Sequence, residues 1–154
     1  MAVYNIQLSK DKYLKMDFVQ DYLKLLKSPK IVNGIPILSL EDIYLRKLYA
    51  LTGTGITQDM VGRKTGLGGR QEAKDFCDLY FLSHTFMRLS DFASKYCDAI
   101  RKELLIRWFN TYDRLQIKTG LLDLKLKRKL DFRDLERYFK KEIDRLIEKE
   151  VSSL

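Results

Sequence analysis

Apolar residues recur with a period of two between residues 3 and 19, and with a helical period over most of the chain beyond residue 40. That change of period narrows the fold classes open to the chain. Strands come first and helices afterwards, the pattern of an α+β protein rather than an alternating α/β one. The expected architecture is a small N-terminal antiparallel or mixed sheet followed by a helical C-terminal half. A chain of 154 residues, 45% of them hydrophobic, can form one compact domain without disulfide staples, so Cys77 and Cys97 are expected to be reduced thiols. No apolar run approaches the ~18 residues of a membrane span, and no charged-then-apolar leader opens the chain. A cytoplasmic protein that does not enter a membrane is the expectation.

In the first strand pair Tyr4, Ile6 and Leu8 alternate with polar residues; after the polar turn Ser9-Lys10-Asp11-Lys12, Leu14, Met16 and Phe18 do the same. Period two sends Asp17 to the opposite face, with Tyr13, Lys15 and Val19. A carboxylate in mid-strand is unusual, because Asp competes for local backbone donors and fills a pleated surface poorly. It is read either as an exposed residue beside Lys15 or as a functional acid. Residues 20–27 read as a short helix or turn. Asn33-Gly34 then marks a tight turn, and Ile35 to Leu38 a short strand whose Pro36 confines it to an edge.

Ser39 is placed to cap a helix over residues 40–51, with Asp42 at the reciprocal capping position. Its apolar stripe is Leu40, Ile43, Tyr44, Leu48 and Leu51, and Lys47 falls inside that stripe. Such a lysine either snorkels outward along its stem or meets an anion. The anion is the better reading, since an unpaired seam ammonium is costly. Residues 52–70 hold six of the eight glycines, together with Arg63, Lys64 and Arg70. A phosphate-binding P-loop is excluded, because Gly62 is followed by Arg63 where that loop needs Lys. A mobile surface insertion is expected, with a flexible basic lid as the functional alternative.

The helix over residues 71–84 is apolar nearly all round, leaving Lys74, Asp75 and Asp78 as a narrow polar strip. Lys74 and Asp78 have the spacing of a local ion pair. Asp75, flanked by Leu79 and Leu82, is harder to assign to structure alone. His84 is a lone structural histidine, and no His or Cys spacing suits zinc. From a cap at Ser90 the chain reads as helical to Lys118, with Thr119-Gly120 as the stop; Asp131 opens a last helix. Lys125, Lys127, Arg128 and Lys129 form a basic cluster before it. The net charge of +8 adds a field that favours polyanions. The chain therefore divides into a sheet and first helix at 1–51, a Gly-rich basic loop at 52–70 and a helical region at 71–154.

Three blocks together carry a resemblance: Tyr13-Leu-Lys-Met-Asp-Phe-Val19, Asn33-Gly-Ile-Pro-Ile-Leu-Ser-Leu-Glu-Asp-Ile-Tyr-Leu-Arg-Lys-Leu-Tyr-Ala50 and Ala73-Lys-Asp-Phe-Cys-Asp-Leu-Tyr-Phe-Leu82. In order and phrasing this looks like the AbiEii/AbiGii-type nucleotidyltransferases of the DNA polymerase beta superfamily, toxins of abortive-infection and toxin–antitoxin systems. The resemblance covers residues 12–110. It implies nucleotidyl transfer from an NTP to an acceptor hydroxyl, with Mg²⁺ as cofactor and a cognate antitoxin as partner. It implies Asp17 as the third catalytic carboxylate and a metal ligand, Lys47 as the triphosphate-holding lysine, and Asp75 as the acid of the last motif with Lys74 and Asp78 as nucleotide-side neighbours. The family's Gly-Ser turn and Asp-x-Asp pair are missing, so the chain resembles the C-terminal part of such an enzyme, truncated or made of two polypeptides, and catalytically incomplete alone. The alternative is a basic module that binds RNA or protein through Arg63, Lys64, Arg70 and the Lys125, Lys127, Arg128, Lys129 cluster. A dimerising scaffold built on the long helices is a third reading.

Overall fold

The computed structural model describes residues 2–70, 72–126 and 130–152, without the side chains of Lys64, Thr65 and Leu67. Among these residues the fold is α+β, with short antiparallel strand pairs in the first half and a mostly helical second half. The strands are β1 (Ala2–Ser9), β2 (Lys12–Phe18), β3 (Lys30–Val32), β4 (Ile35–Ile37), β5 (Gly55–Gln58) and β6 (Lys64–Leu67). The helices are α1 (Leu40–Thr52), α2 (Ala73–Thr85), α3 (Leu89–Tyr96), α4 (Ala99–Thr111), α5 (Arg114–Asp123) and α6 (Phe132–Ser152). Each sheet is a hairpin: β1 with β2, β3 with β4 and β5 with β6. Among the described residues no helix is long and apolar enough to cross a membrane.

The core lies among the helices, with α2 at its centre. Phe76 packs against Phe139 of α6 at 4.5 Å between ring centroids and against Trp108 of α4 at 5.3 Å. Tyr44 of α1 stacks on Phe92 of α3 at 4.0 Å. Leu135, Phe139, Ile143 and Leu146 supply the buried face of α6, at the helical spacing their sequence shows. A buried carboxylate fixes α6 to α3: Glu142 Oε2 accepts from the Ser90 amide at 3.0 Å and from its hydroxyl at 2.8 Å. An anion there also suits the positive N-terminal end of α3.

The region beyond residue 88 departs from the single long helix expected. Asp98 accepts from the Arg101 amide at 2.7 Å and Asp113 from the Gln116 amide at 2.9 Å, so each starts a new helix inside an otherwise continuous apolar pattern. Ser90 lies within α3 rather than at its cap, its side chain taken by Glu142. Gly120 does not stop a helix either. It sits in α5 where that helix crosses α2, and a Cβ at this position would lie 2.9 Å from the Cβ of Ala73. Residues 20–27 form neither helix nor strand. They are tied to α1 by Asp42, which accepts from the amides of Leu26 at 2.8 Å and Lys27 at 3.2 Å. Burial alone would raise the Asp42 pKa; the Ser39 hydroxyl, these two amides and Arg46 more than offset it and hold the carboxyl below its ordinary range.

The Gly-rich segment is a hairpin seated on the end of α1. Asp59 makes its turn, accepting from the amides of Val61 at 3.0 Å and Arg63 at 2.8 Å. The last carbonyls of α1 need partners. Gly53 donates to Tyr49, and the Arg70 amide donates to the Ala50 carbonyl at 2.7 Å. A Cβ on Gly66 would stand 1.7 Å from the Thr52 carbonyl oxygen, and one on Gly69 2.5 Å from that of Leu51. These glycines are therefore required by close backbone approach. From the other side Arg101 of α4, itself buried, donates to the Thr52 hydroxyl at 2.7 Å and to the Gly53 carbonyl, with its guanidinium 3.5 Å above the Tyr49 ring. A cation at a helix C-terminus matches the sign of the dipole.

Gly66→Ala should lower the unfolding free energy by about 3 kcal/mol, at the top of the overpacking range. Gly62→Ala, at φ 78° in open space, should lose only about 1 kcal/mol from the left-handed backbone. Urea unfolding of the two variants compares them directly. Equal losses would mean that the hairpin does not rest on α1.

Candidate functional site

Lys47 lies in the middle of α1 and faces the first turns of α2. Its Nζ is 2.9 Å from Asp75 Oδ1 and 2.6 Å from Asp78 Oδ2. Asp75 is fully buried and Asp78 half-buried. A carboxylate in the first turn of α2 is favoured by the helix dipole, but a buried one also needs a countercharge. A second cation arrives from the segment after β6: an Arg70 guanidinium nitrogen lies 3.1 Å from Asp75 Oδ2 and donates a hydrogen bond to Oδ1 at 3.3 Å. Oδ2 is buried with no hydrogen bond, so its contact with Arg70 is ionic only. Lys47, Arg70, Asp75 and Asp78 thus make a charge-balanced quartet where α1, α2 and the Gly-rich segment meet.

Burial alone would lower the Lys47 pKa; the hydrogen bonds to Asp78 and Asp75 outweigh it and raise the ammonium above its ordinary value. The seam lysine meets anions, as its place in the apolar stripe implied. Two other assignments change. Asp78 pairs with Lys47 rather than with Lys74, which is exposed, because the ammonium of α1 reaches it in the helix seam. Arg70 is engaged by Asp75 and is not a free surface cation.

Asp17 is not brought to this cluster. Its side chain is half-exposed on β2, opposite Val3, and lies 3.3 Å from Lys15 Nζ. Among the described residues it makes no hydrogen bond or ion pair with Lys47 or Asp75. Asp17 therefore has the exposed setting beside Lys15 that its strand position allowed. Of the basic candidates, Arg63 and Lys125 are exposed, the side chain of Lys64 is not described, and Lys127, Arg128 and Lys129 lie outside the described residues.

The acids of this chain do not suit Mg²⁺ by themselves. Among the described residues no three His, Cys, Asp or Glu side chains group in a way that could hold a metal ion. Asp75 and Asp78 are held by cations, and Asp17 by Lys15.

A second feature belongs beside the quartet. In the β1–β2 register Ala2 faces Phe18, Tyr4 faces Met16 and Ile6 faces Leu14, so these six side chains share one face. Every residue of both strands is exposed. The face is apolar and no part of the described chain covers it. Ile31, Val32, Ile35 and Ile37 on the β3–β4 hairpin are exposed as well. Alternation identified the apolar face of β1 and β2, but it carries no signal of what covers that face. The Arg70 contact was not legible either, since a Gly-rich segment has no periodicity from which to read a partner. Compared with known proteins, the chain matches no family model, no curated protein and no solved structure.

Lys47→Met would leave Asp75 with Arg70 alone and should cost about 3 kcal/mol in urea unfolding, the lower end for a broken buried pair. Asp78→Asn, at a half-exposed position, should cost about 1 kcal/mol or less. Because the folded pKa of Lys47 is raised, its contribution is full below the ordinary value of 10.5 and declines as pH rises from there through the folded value. Lys47→Met should therefore flatten the alkaline fall in stability. An unchanged slope would mean that the ammonium is not held by the two acids.

Proposed function

We propose that this chain is the nucleotide-side, C-terminal portion of an AbiEii-like nucleotidyltransferase of toxin–antitoxin or abortive-infection type, and that it is catalytically incomplete alone. The observation that carries the reading is the meeting of Lys47 with Asp75 and Asp78 across α1 and α2, because those helices hold two of the three sequence blocks that resemble the family. The remaining block is β2 with Asp17, on the hairpin whose apolar face is bare. A second half, bearing the Gly-Ser turn and Asp-x-Asp pair, would dock on that face and bring its own carboxylates. In the assembled enzyme an NTP would supply the transferred nucleotidyl group, and Mg²⁺ would be the cofactor. The acceptor would be a hydroxyl, such as the end of a tRNA or a protein side chain.

The energetics of the quartet suit a lysine that changes partners. Its bond to half-exposed Asp78 is of the weak kind, worth up to about 1 kcal/mol, so a polyphosphate could displace it at small cost. Asp75 would keep both Lys47 and Arg70 meanwhile. Lys47 would then hold the phosphates as a compact point charge.

The DNA upstream of the Met1 codon, in frame or frameshifted, should encode a Gly-Ser turn followed by Asp-x-Asp. The purified chain should incorporate no label from α-³²P-labelled NTPs with Mg²⁺. Joined with the product of that upstream segment it should do so, and Lys47→Ala should reduce the rate by about 100-fold or more, the scale of losing one electrostatic stabiliser. Incorporation by the chain alone would overturn its incompleteness. An upstream sequence without the two motifs would overturn the kinship and leave the basic RNA- or protein-binding module, a reading favoured by the exposure of Arg63 and Lys125.

A further inference from the structure

A second concave site lies on the far part of α2, away from the quartet. The C-terminal turn of α2, the link to α3 and one stripe of α6 enclose a recess of about 490 Å³. Arg88, Lys141 and Arg145 line it together with His84, Ser83 and Tyr138. Tyr138, Lys141 and Arg145 stand at i, i+3 and i+7 on α6, so a helix must present them on one side.

The charge is unbalanced. Glu142 is the acid among the lining residues, and it is fully buried, with Oε2 used by Ser90 and Oε1 by Arg145. Among the described residues neither Arg88 nor Lys141 makes an ion pair, and both are exposed. Arg88 is the N-cap residue of α3, where the helix dipole disfavours a cation, so no helix end accounts for it. Lys141 and Arg145 sit in the middle of α6, where no helix end accounts for them.

The floor adds a neutral donor. Ser83 Oγ accepts from the Leu89 amide at 2.8 Å and shares a hydrogen bond with the Tyr138 hydroxyl. If Tyr138 donates, the Ser83 O–H is left facing the buried Tyr44 hydroxyl; if Ser83 donates, the Tyr138 O–H is left at a half-buried position. His84 is fixed beside it: its Nδ1–H donates to the Tyr80 carbonyl at 2.8 Å, and its ring lies 4.1 Å from Tyr80 and 4.2 Å from Tyr138.

We propose that this recess binds a phosphate group of a phosphate-ester ligand, with Arg88 and Lys141 as its charge partners and the Tyr138 hydroxyl as a further donor. Arg145 balances Glu142 and adds to the field. The chemistry is that of a phosphomonoester or phosphodiester, carried by a free nucleotide or by an RNA strand. The site is independent of the nucleotidyltransferase reading: it requires neither a second half nor a metal.

The test is fluorescence anisotropy of 5′-fluorescein-labelled decauridylate with the full chain at low salt and without Mg²⁺. The chain should bind the probe, and the affinity should fall steeply as salt rises. Arg88→Gln with Lys141→Gln should raise Kd at least tenfold. Lys10→Gln with Lys12→Gln removes the same charge from the exposed turn of the β1–β2 hairpin and should change Kd less than twofold. All four positions are exposed, so the far-UV circular dichroism and Tm of both pairs should match the parent. Competition then separates the sources. Displacement by uridine monophosphate or inorganic phosphate assigns the recess to an isolated phosphate, and displacement by unlabelled strand alone assigns it to strand phosphates. Equal losses in the two charge pairs, or no binding of the probe, would overturn the site.

Discussion

Asp75 is a carboxylate with no exposure to water in the first turn of the most apolar helix of the chain. Leaving such a charge unmatched costs several kcal/mol, a large share of the roughly 5–15 kcal/mol that holds a domain together. The requirement is met from two elements, Lys47 on α1 and Arg70 between β6 and α2. Meeting it sets α1 against α2 and draws the end of the Gly-rich segment into the same seam. The carbonyl end of α1 is then close enough for the β5–β6 hairpin and Arg101 to close over it. Much of the arrangement of the central helices thus follows from one acid that had to be neutralised.

The same logic sorts the cations of a chain with a net charge of +8. Arg101, Arg70 and Lys47 answer buried or half-buried acceptors and belong to the fold as much as to any site. Arg63, Arg88, Lys125 and Lys141 are among the cations that are exposed without an ion-pair partner among the described residues, and such cations are free to meet a polyanion. Charge totals do not make this distinction. Partner geometry does, because a cation held in a half-buried pair must give up that pair before it can bind anything else.

Features that depend on spacing within one element were legible from the sequence. The period-two faces of β1 and β2, the Ser39 cap, the buried stripe of α6 and the anion-seeking place of Lys47 all follow from local geometry. Features set between elements were not. Asp98 and Asp113 are N-caps, yet the apolar period runs through them, so the breaks between α3, α4 and α5 read as one helix. Gly120 reads as a stop, although it serves a close helix crossing. Gly66 and Gly69 read as mobility because their reason, the carbonyl end of α1, lies in another element. Of the site, Lys47 and Asp75 were visible as polar groups in apolar company, whereas the pairing of Arg70 with Asp75 needed the tertiary structure.

The β1–β2 hairpin places the strongest physical condition on function. An isolated two-stranded sheet is marginal in water. This one carries Tyr4, Ile6, Leu14, Met16 and Phe18 on a single uncovered face. Fully burying side chains of this kind is worth roughly 1.5–3 kcal/mol each, so a partner covering the face would gain most of what a modest interface needs even after the cost of association. Such a partner would also find unpaired strand edges on which further strands can add. Asp17 lies on the opposite, more polar face, opposite Val3 and beside Lys15. A docking event on the apolar face therefore leaves the acid accessible to ligands. A partner added there would cover one face of the hairpin and leave the other in solvent.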